Sequence, residues 1–230
     1  MRDWNALLIH GAGGGAWEWN RWRGVLEAHA IGVQSVELQA GSLGLHATSL
    51  RDYATQVRGT LRAMQRPRLV VGASLGGLLG AMCADDADAL VLINPLPPAP
   101  WNERLHPRAW EPVVAWQRNA RLSSTRAAMP DADEASALLA FRHWRDESGA
   151  ALSEAQAGVA IENPACPALF VVSRQDEDVP RQSVLEWVSA WRADTLETIA
   201  DSHVGPLLGR HAQSIACQAV AWLNRLERAA

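Results

Sequence analysis

The chain has 230 residues, of which 48% are hydrophobic and 20% charged, and it carries a formal net charge of -4. That length and balance suit one large α/β domain and exclude a disordered chain, and the mild acidity leaves no basic surface for nucleic acid. The 21 positive residues are all arginine, which removes every lysine chemistry, from the Walker P-loop to the Schiff base and the Ser–Lys dyad.

The elements follow in chain order. Ala6–His10 reads as a strand, Gly11–Gly15 as a glycine loop and Trp17–His29 as a helix. Val33–Leu38 is a second strand. Apolar residues at Leu50, Tyr53, Ala54, Val57, Leu61 and Met64 then recur at helical spacing. Arg68–Ala73 is a buried-type strand that runs directly into a small-residue helix, Leu75–Ala84. Ala89–Asn94 is another strand, stopped by the proline cluster at Pro95–Pro100. Residues 101–163 carry no strand-like run and hold Trp101, Trp110, Trp116 and Trp144. Strand Ala168–Ser173, helix Arg181–Trp191, strand Thr195–Ala200 and a last helix complete the chain. That helix is expected to carry Leu208, Ile215, Ala219, Trp222, Leu223 and Leu226 on one face. Strands and helices that alternate in this way predict a parallel sheet with right-handed crossovers. Strands of Val, Ile and Leu without polar alternation predict that both faces are covered.

Cys83, Cys166 and Cys217 have no pattern that indicates a disulfide framework or a zinc site, and they read as small hydrophobes. The first ten residues contain no apolar leader, and no apolar run approaches the roughly eighteen residues of a membrane span. A cytoplasmic protein without a membrane span is therefore expected. The 11 tryptophans, against 2 phenylalanines and 1 tyrosine, read as genomic bias together with core or pocket aromatics.

The glycine loop, His10-Gly11-Ala12-Gly13-Gly14-Gly15-Ala16, formally fits a dinucleotide fingerprint, with Glu37 placed like a ribose-binding acid. Two details oppose that reading. Trp17-Glu18-Trp19 is bulky where a pyrophosphate needs close backbone approach, and His10 has no task in dinucleotide binding. The second motif decides. Gly72-Ala73-Ser74-Leu75-Gly76 is a G-x-S-x-G pentapeptide between a buried strand and a helix. A serine there sits on a sharp turn above the sheet edge, next to the first N–H groups of the helix. Its hydroxyl needs a base, and the base needs an orienting acid. These should follow later strands in the order acid, then histidine. His203 alone among the seven histidines lies just past the last strand. The acid is Asp176 or Asp178, with Asp176 favoured and Asp178 the alternative N-cap of the helix at Arg181. Asn94-Pro95-Leu96 offers no carboxylate, and Asp201 stands too close in sequence to His203 to reach its far ring nitrogen.

Together these motifs resemble the α/β-hydrolase superfamily over nearly the whole chain. The opening HGAGGGAWEW is similar to the branch of plant methylesterases, hydroxynitrile lyases and small bacterial esterases. The resemblance implies a mostly parallel twisted sheet of about six strands flanked by helices, with residues 1–98 and 164–230 as the core. It makes 99–163 a helical cap over Ser74. It implies Ser74 as nucleophile, His203 as base and Asp176 as acid, with an oxyanion hole from the backbone N–H groups of Ala12 and Leu75. Leu96 and Trp101 are expected in the wall of an apolar pocket. Arg142 and Arg145 either bind a substrate carboxylate or pair with Asp146, Glu147 or solvent. Two departures stand out: Ser173 where the family usually has glycine, and Ala200-Asp201-Ser202-His203 where it has Gly-x-Gly-His. The activity implied is hydrolysis of a small-molecule carboxylic ester or thioester, with no metal or organic cofactor. A hydroxynitrile lyase is disfavoured because the similar family enzymes use a lysine. A C–C hydrolase or lactonase on the same triad remains open, as does a binding module that keeps the fold.

Overall fold

The computed structural model describes residues 3–200 and 202–229. Its centre is a six-stranded sheet. In chain order the strands and helices begin β1 (Asn5–Ile9), α1 (Asn20–Ala28), β2 (Gly32–Val36), α2 (Leu50–Ala63), β3 (Arg68–Ala73), α3 (Leu75–Met82) and β4 (Ala89–Ile93). A long segment follows, with a two-residue antiparallel pair, β5 (Val113–Val114) and β6 (Glu147–Ser148), and helices α4 (Leu122–Ala128), α5 (Glu134–His143) and α6 (Gly149–Ala157). The chain then returns through β7 (Ala168–Ser173), α7 (Arg181–Trp191), β8 (Asp194–Thr198), α8 (Gly205–Leu208) and α9 (Ala212–Ala229).

The sheet order is β2-β1-β3-β4-β7-β8, and all five pairings are parallel. The chain changes direction across the sheet between β1 and β3. Such a switch point leaves a crevice at the carboxyl ends of the strands. Alternate strand residues supply two cores. Leu7, Ile9, Val70, Leu92 and Phe170 pack with residues of α2, α3 and α7, whereas Ala6, Leu8, Val71, Val91 and Val171 pack with α1 and α9. With both faces covered, the strands need no polar alternation.

The boundaries differ from the sequence expectation where side chains take over from the ladder. β2 stops at Val36, opposite Ile9. Beyond it Leu38 N–H donates to His10 Nε2 at 3.1 Å, and the Glu37 carboxylate accepts from Ala16 N–H at 2.5 Å. The expected helix at Trp17 opens as a 3-10 turn, Ala16–Trp19, within which the Glu18 side chain folds back to the amide of Gly11. Leu208 is cut off from the last helix by the extended Gly209 and belongs to α8. Helix α2 opens on a capping box, with Ser49 and Asp52 satisfying each other's backbone amides. No helix among the described residues is long and apolar enough to cross a membrane.

Candidate active site

Four loops meet at the carboxyl edge of the sheet, after β1, β3, β7 and β8. Ser74 connects β3 to α3 with φ 52° and ψ −119°, a conformation that non-glycine residues rarely adopt. A residue held this way costs about 1–3 kcal/mol and persists only where its surroundings impose it. They do so here. Ser74 N–H donates to Ile93 O at 3.0 Å, while Ser74 O accepts from Gly77, Leu78 and Leu96 at 3.0–3.2 Å. The flanking glycines make room for the turn: a Cβ on Gly76 would run into the carbonyls of Ile9 and His10, and one on Gly72 into that of Gly76. The Ser74 hydroxyl has no hydrogen-bond partner among the described residues and faces a cavity.

The glycine loop lies alongside. Most of its amides are engaged: Gly11 N–H donates to Glu18 Oε2 at 3.2 Å, Gly13 N–H to Glu147 Oε2 at 2.9 Å and Gly14 N–H to Gly11 O at 3.2 Å. The N–H groups of Ala12 and Leu75, on either side of Ser74, have no acceptor among the described residues. His10 staples the loop to the chain after β2. Its Nε2 accepts from Leu38, so Nδ1 carries the proton and donates to Gly11 O at 2.8 Å. Burial pushes its pKa down, consistent with a neutral ring.

Asp176 and His203 arrive from the far side. Asp176 Oδ2 lies 2.7 Å from His203 Nδ1, while Oδ1 accepts the amides of Asp178 and Val179 at 2.9 Å each. Both side chains are largely buried, His203 13% and Asp176 3% exposed. Burial lowers the imidazole pKa, but the charge and hydrogen bond of Asp176 outweigh it and leave the pKa raised. Asp178 does not cap α7, whose N-cap is Pro180; it pairs with Arg108 at 3.4 Å. Asp201 lies outside the described residues. Asp176, Asp178 and His203 bring ligand-type atoms within 4.8 Å of one another. However, both oxygens of Asp176 are already committed to hydrogen bonds, which leaves little for a cation.

The two family departures are accommodated. Ser173 Oγ accepts from Asn94 Nδ2 at 2.9 Å and donates to Ser202 O at 3.1 Å. Asn94 Nδ2 also reaches His203 O at 2.7 Å. A polar knot thus ties the ends of β4 and β7 to the histidine loop.

Above these loops lies a cavity of about 470 Å³ whose lining includes Ser74, His203, Leu96, Trp110, Trp116 and Trp144. Trp101 is a correction, since it does not line the cavity. The proline-rich segment before it turns the indole onto α7, where it stacks on Trp187 at 6.0 Å and 15°. Arg145 is taken up by partners within the chain. It pairs with Glu37 at 2.5 Å and donates to Leu38 O at 2.6 Å, while Asp146 is taken by Arg118.

Sequence reasoning missed Glu18, Glu147 and Asn94. All three are polar side chains that fold leaves almost dry, at 4%, 3% and 2% exposure. Only Glu18 had a sequence cue, an acid set among tryptophans directly after the glycine loop.

The chain belongs to the alpha/beta hydrolase family, whose pattern it matches over residues 6–216. Among solved structures it is similar to tomato methylketone synthase I in complex with 2-tridecanone, at 14% identity and a TM-score of 0.77, covering 98% of this chain and 99% of that one. It is also similar to polyneuridine aldehyde esterase, at 16% identity and a TM-score of 0.72, with 95% and 100% coverage. A pyrethroid hydrolase from Sphingobium faniae JZ-2 shares 17% identity at a TM-score of 0.72, with 94% and 95% coverage. No curated protein sequence matches the chain.

Proposed function

We propose that the protein is a serine hydrolase of small carboxylic esters that works through an acyl-enzyme. The observation that carries this is the 2.7 Å Asp176–His203 pair, whose histidine lines the same cavity as Ser74 on its strained turn. The Ser74 hydroxyl is a weak nucleophile until a base takes its proton. His203 is that base, through Nε2, because Nδ1 is bound to Asp176. The Ser74–His203 hydrogen bond forms as substrate enters, a contact that commonly tightens only in the complex. Ser74 Oγ attacks the ester carbon, and the negative charge moves to the carbonyl oxygen. The N–H groups of Ala12 and Leu75 receive it, each worth roughly 3–4 kcal/mol in the transition state. The protonated His203 gives its proton to the departing alcohol, then activates water to release the acid. Asp176 holds the ring in the required tautomer and stabilises its charged form.

The segment of residues 99–163 acts as the cap. Its tryptophans and Leu105, with Leu96 from the core, favour an apolar acyl or alcohol group. The likeness to an esterase and to a pyrethroid hydrolase supports the reaction class. Ser74→Ala tests the proposal: turnover of a short p-nitrophenyl ester should fall about 10⁴-fold or more with an unchanged circular dichroism spectrum. Undiminished turnover in that variant overturns it.

A further inference from the structure

The cavity lining holds one buried ionisable side chain that the chemistry above leaves idle; its other idle ionisable groups, His106, Arg108, Arg121 and Asp178, are exposed. Glu18 is 4% exposed, yet it lines the cavity together with Ser74, His203, Gly11 and Ala12. Its one side-chain hydrogen bond among the described residues comes from Gly11 N–H to Oε2, at 3.2 Å; Oε1 has none. The carboxyl group is wedged against the glycine loop, where a Cβ on Gly14 would collide with both oxygens. Gly11 in turn lies close beside the nucleophile, since a Cβ there would come within 3.3 Å of Ser74 Cβ. The group therefore sits one residue from Ala12, whose amide has no acceptor among the described residues.

Its charged surroundings do not favour an anion. Glu37 stands on the β2 side, already paired with Arg145. Glu147 holds the next turn of the loop, and His10 behind it is a neutral ring. Arg108, Arg121 and His106 also line the cavity but are exposed; His203 is the potential cation that acts on Glu18, and that ring is bound to Asp176. No arginine forms an ion pair with Glu18 among the described residues. A buried carboxyl in such a place keeps its proton. Burial raises its pKa to about 8, with the Gly11 amide and His203 only partly opposing.

We propose that Glu18 is a further catalytic residue that works as a neutral carboxylic acid, donating a hydrogen bond from Oε1 to the substrate oxygen held beside the glycine loop. The proton stays on Glu18 throughout. When it is lost, a donor becomes a negative charge beside the developing oxyanion, and acylation slows. The site is thus active while Glu18 is neutral and His203 is unprotonated. The inference rests on the acyl-enzyme reading above.

The test compares kcat/KM for p-nitrophenyl butyrate between about pH 6 and pH 10, followed by pH-stat titration, in the wild type, Glu18→Gln and Glu18→Ala. The wild type should lose activity above about pH 8 and fall at least roughly tenfold by pH 10. Glu18→Gln keeps an N–H donor that cannot ionise, so it should be about tenfold slower near pH 7 and level up to pH 10. Glu18→Ala should be about 100-fold slower and equally level. A purely structural role would slow both variants and leave the alkaline limb in place, and an unchanged limb in Glu18→Gln overturns the proposal. An infrared carbonyl band of a protonated carboxyl, present in the wild type near pH 7 and absent in Glu18→Gln, should accompany these rates; its absence from the wild type also overturns the proposal. A fluorophosphonate applied to each protein separates the two readings. Ser74 labelled with the limb unchanged removes only Glu18, whereas no labelling and no turnover in the wild type removes the acyl-enzyme reading and this one with it.

Discussion

Asp176 Oδ2 and His203 Nδ1 lie 2.7 Å apart although 27 residues separate them in the chain. Asp178, two residues on, is exposed and faces Arg108 instead. Asp176→Asn should therefore cost about 10³–10⁴ in kcat, because the amide permits the wrong histidine tautomer. It should also move the acid limb of the pH–rate profile to lower pH, since the carboxylate is what lifts the His203 pKa. Asp178→Asn should change kcat by no more than about threefold. Kinetics of the two variants decide between the carboxylates, and the reverse order would make Asp178 the acid.

Much of this arrangement was legible in the sequence. Arg68–Ala73, Ala168–Ser173 and Arg181–Trp191 run between the residues that hydrophobic runs and turn signals indicate. Gly72 and Gly76 mark the turn because no other residue fits beneath the neighbouring backbone. What was not legible is contact between segments far apart. Trp101 and Trp116 look alike along the chain, but one packs on α7 and the cavity receives the other. The ties from Glu147 to Gly13, and from Asn94 to Ser173 and His203, span 134, 79 and 109 residues, and no local pattern encodes them.

Glu147 links the 99–163 segment to the glycine loop. It accepts from Gly13 N–H, from Tyr53 Oη at 2.6 Å and from Ser148 N–H at 2.7 Å. Glu147→Ala leaves these buried donors unpaired and should destabilise the protein by about 2–4 kcal/mol. Tyr53→Phe removes one partner and should cost about 1–2 kcal/mol. Urea denaturation measures both. Equal, negligible losses would show that the carboxylate does not anchor the loop.

Glycine positions separate structural need from tolerance. Gly76→Ala drives a methyl into the Ile9 and His10 carbonyls and should prevent folding or cost more than about 3 kcal/mol. Gly24 in α1 and Gly59 in α2 have nothing near their missing Cβ. Alanine at either should stabilise by about 0.5–1 kcal/mol. Thermal melts check the contrast, and destabilisation at Gly24 or Gly59 would contradict the helix packing described.

Stability should also depend on pH through Glu18. Its folded pKa of about 8 lies above its ordinary value of 4.5, so the unfolded chain releases this proton first. Between those values the unfolded state binds fewer protons than the folded one, and stability falls as pH rises, by an amount on the order of a few kcal/mol. Above about 8 the dependence levels off. His203 acts with the same sign near and above its unfolded pKa, and comparison with Glu18→Gln removes most of its share. Chemical denaturation from about pH 5 to pH 8 should show the variant gaining on the wild type as pH rises. Parallel curves would mean that Glu18 is already ionised.

The most direct measurement is mass-spectrometric mapping of the site that a fluorophosphonate modifies. The reagent reacts with a serine only where a base and an oxyanion-stabilising pocket activate it. One equivalent on the peptide that contains Ser74, lost in His203→Ala, is the expected result. Modification of a different serine, or none in the folded wild-type protein, would contradict the account.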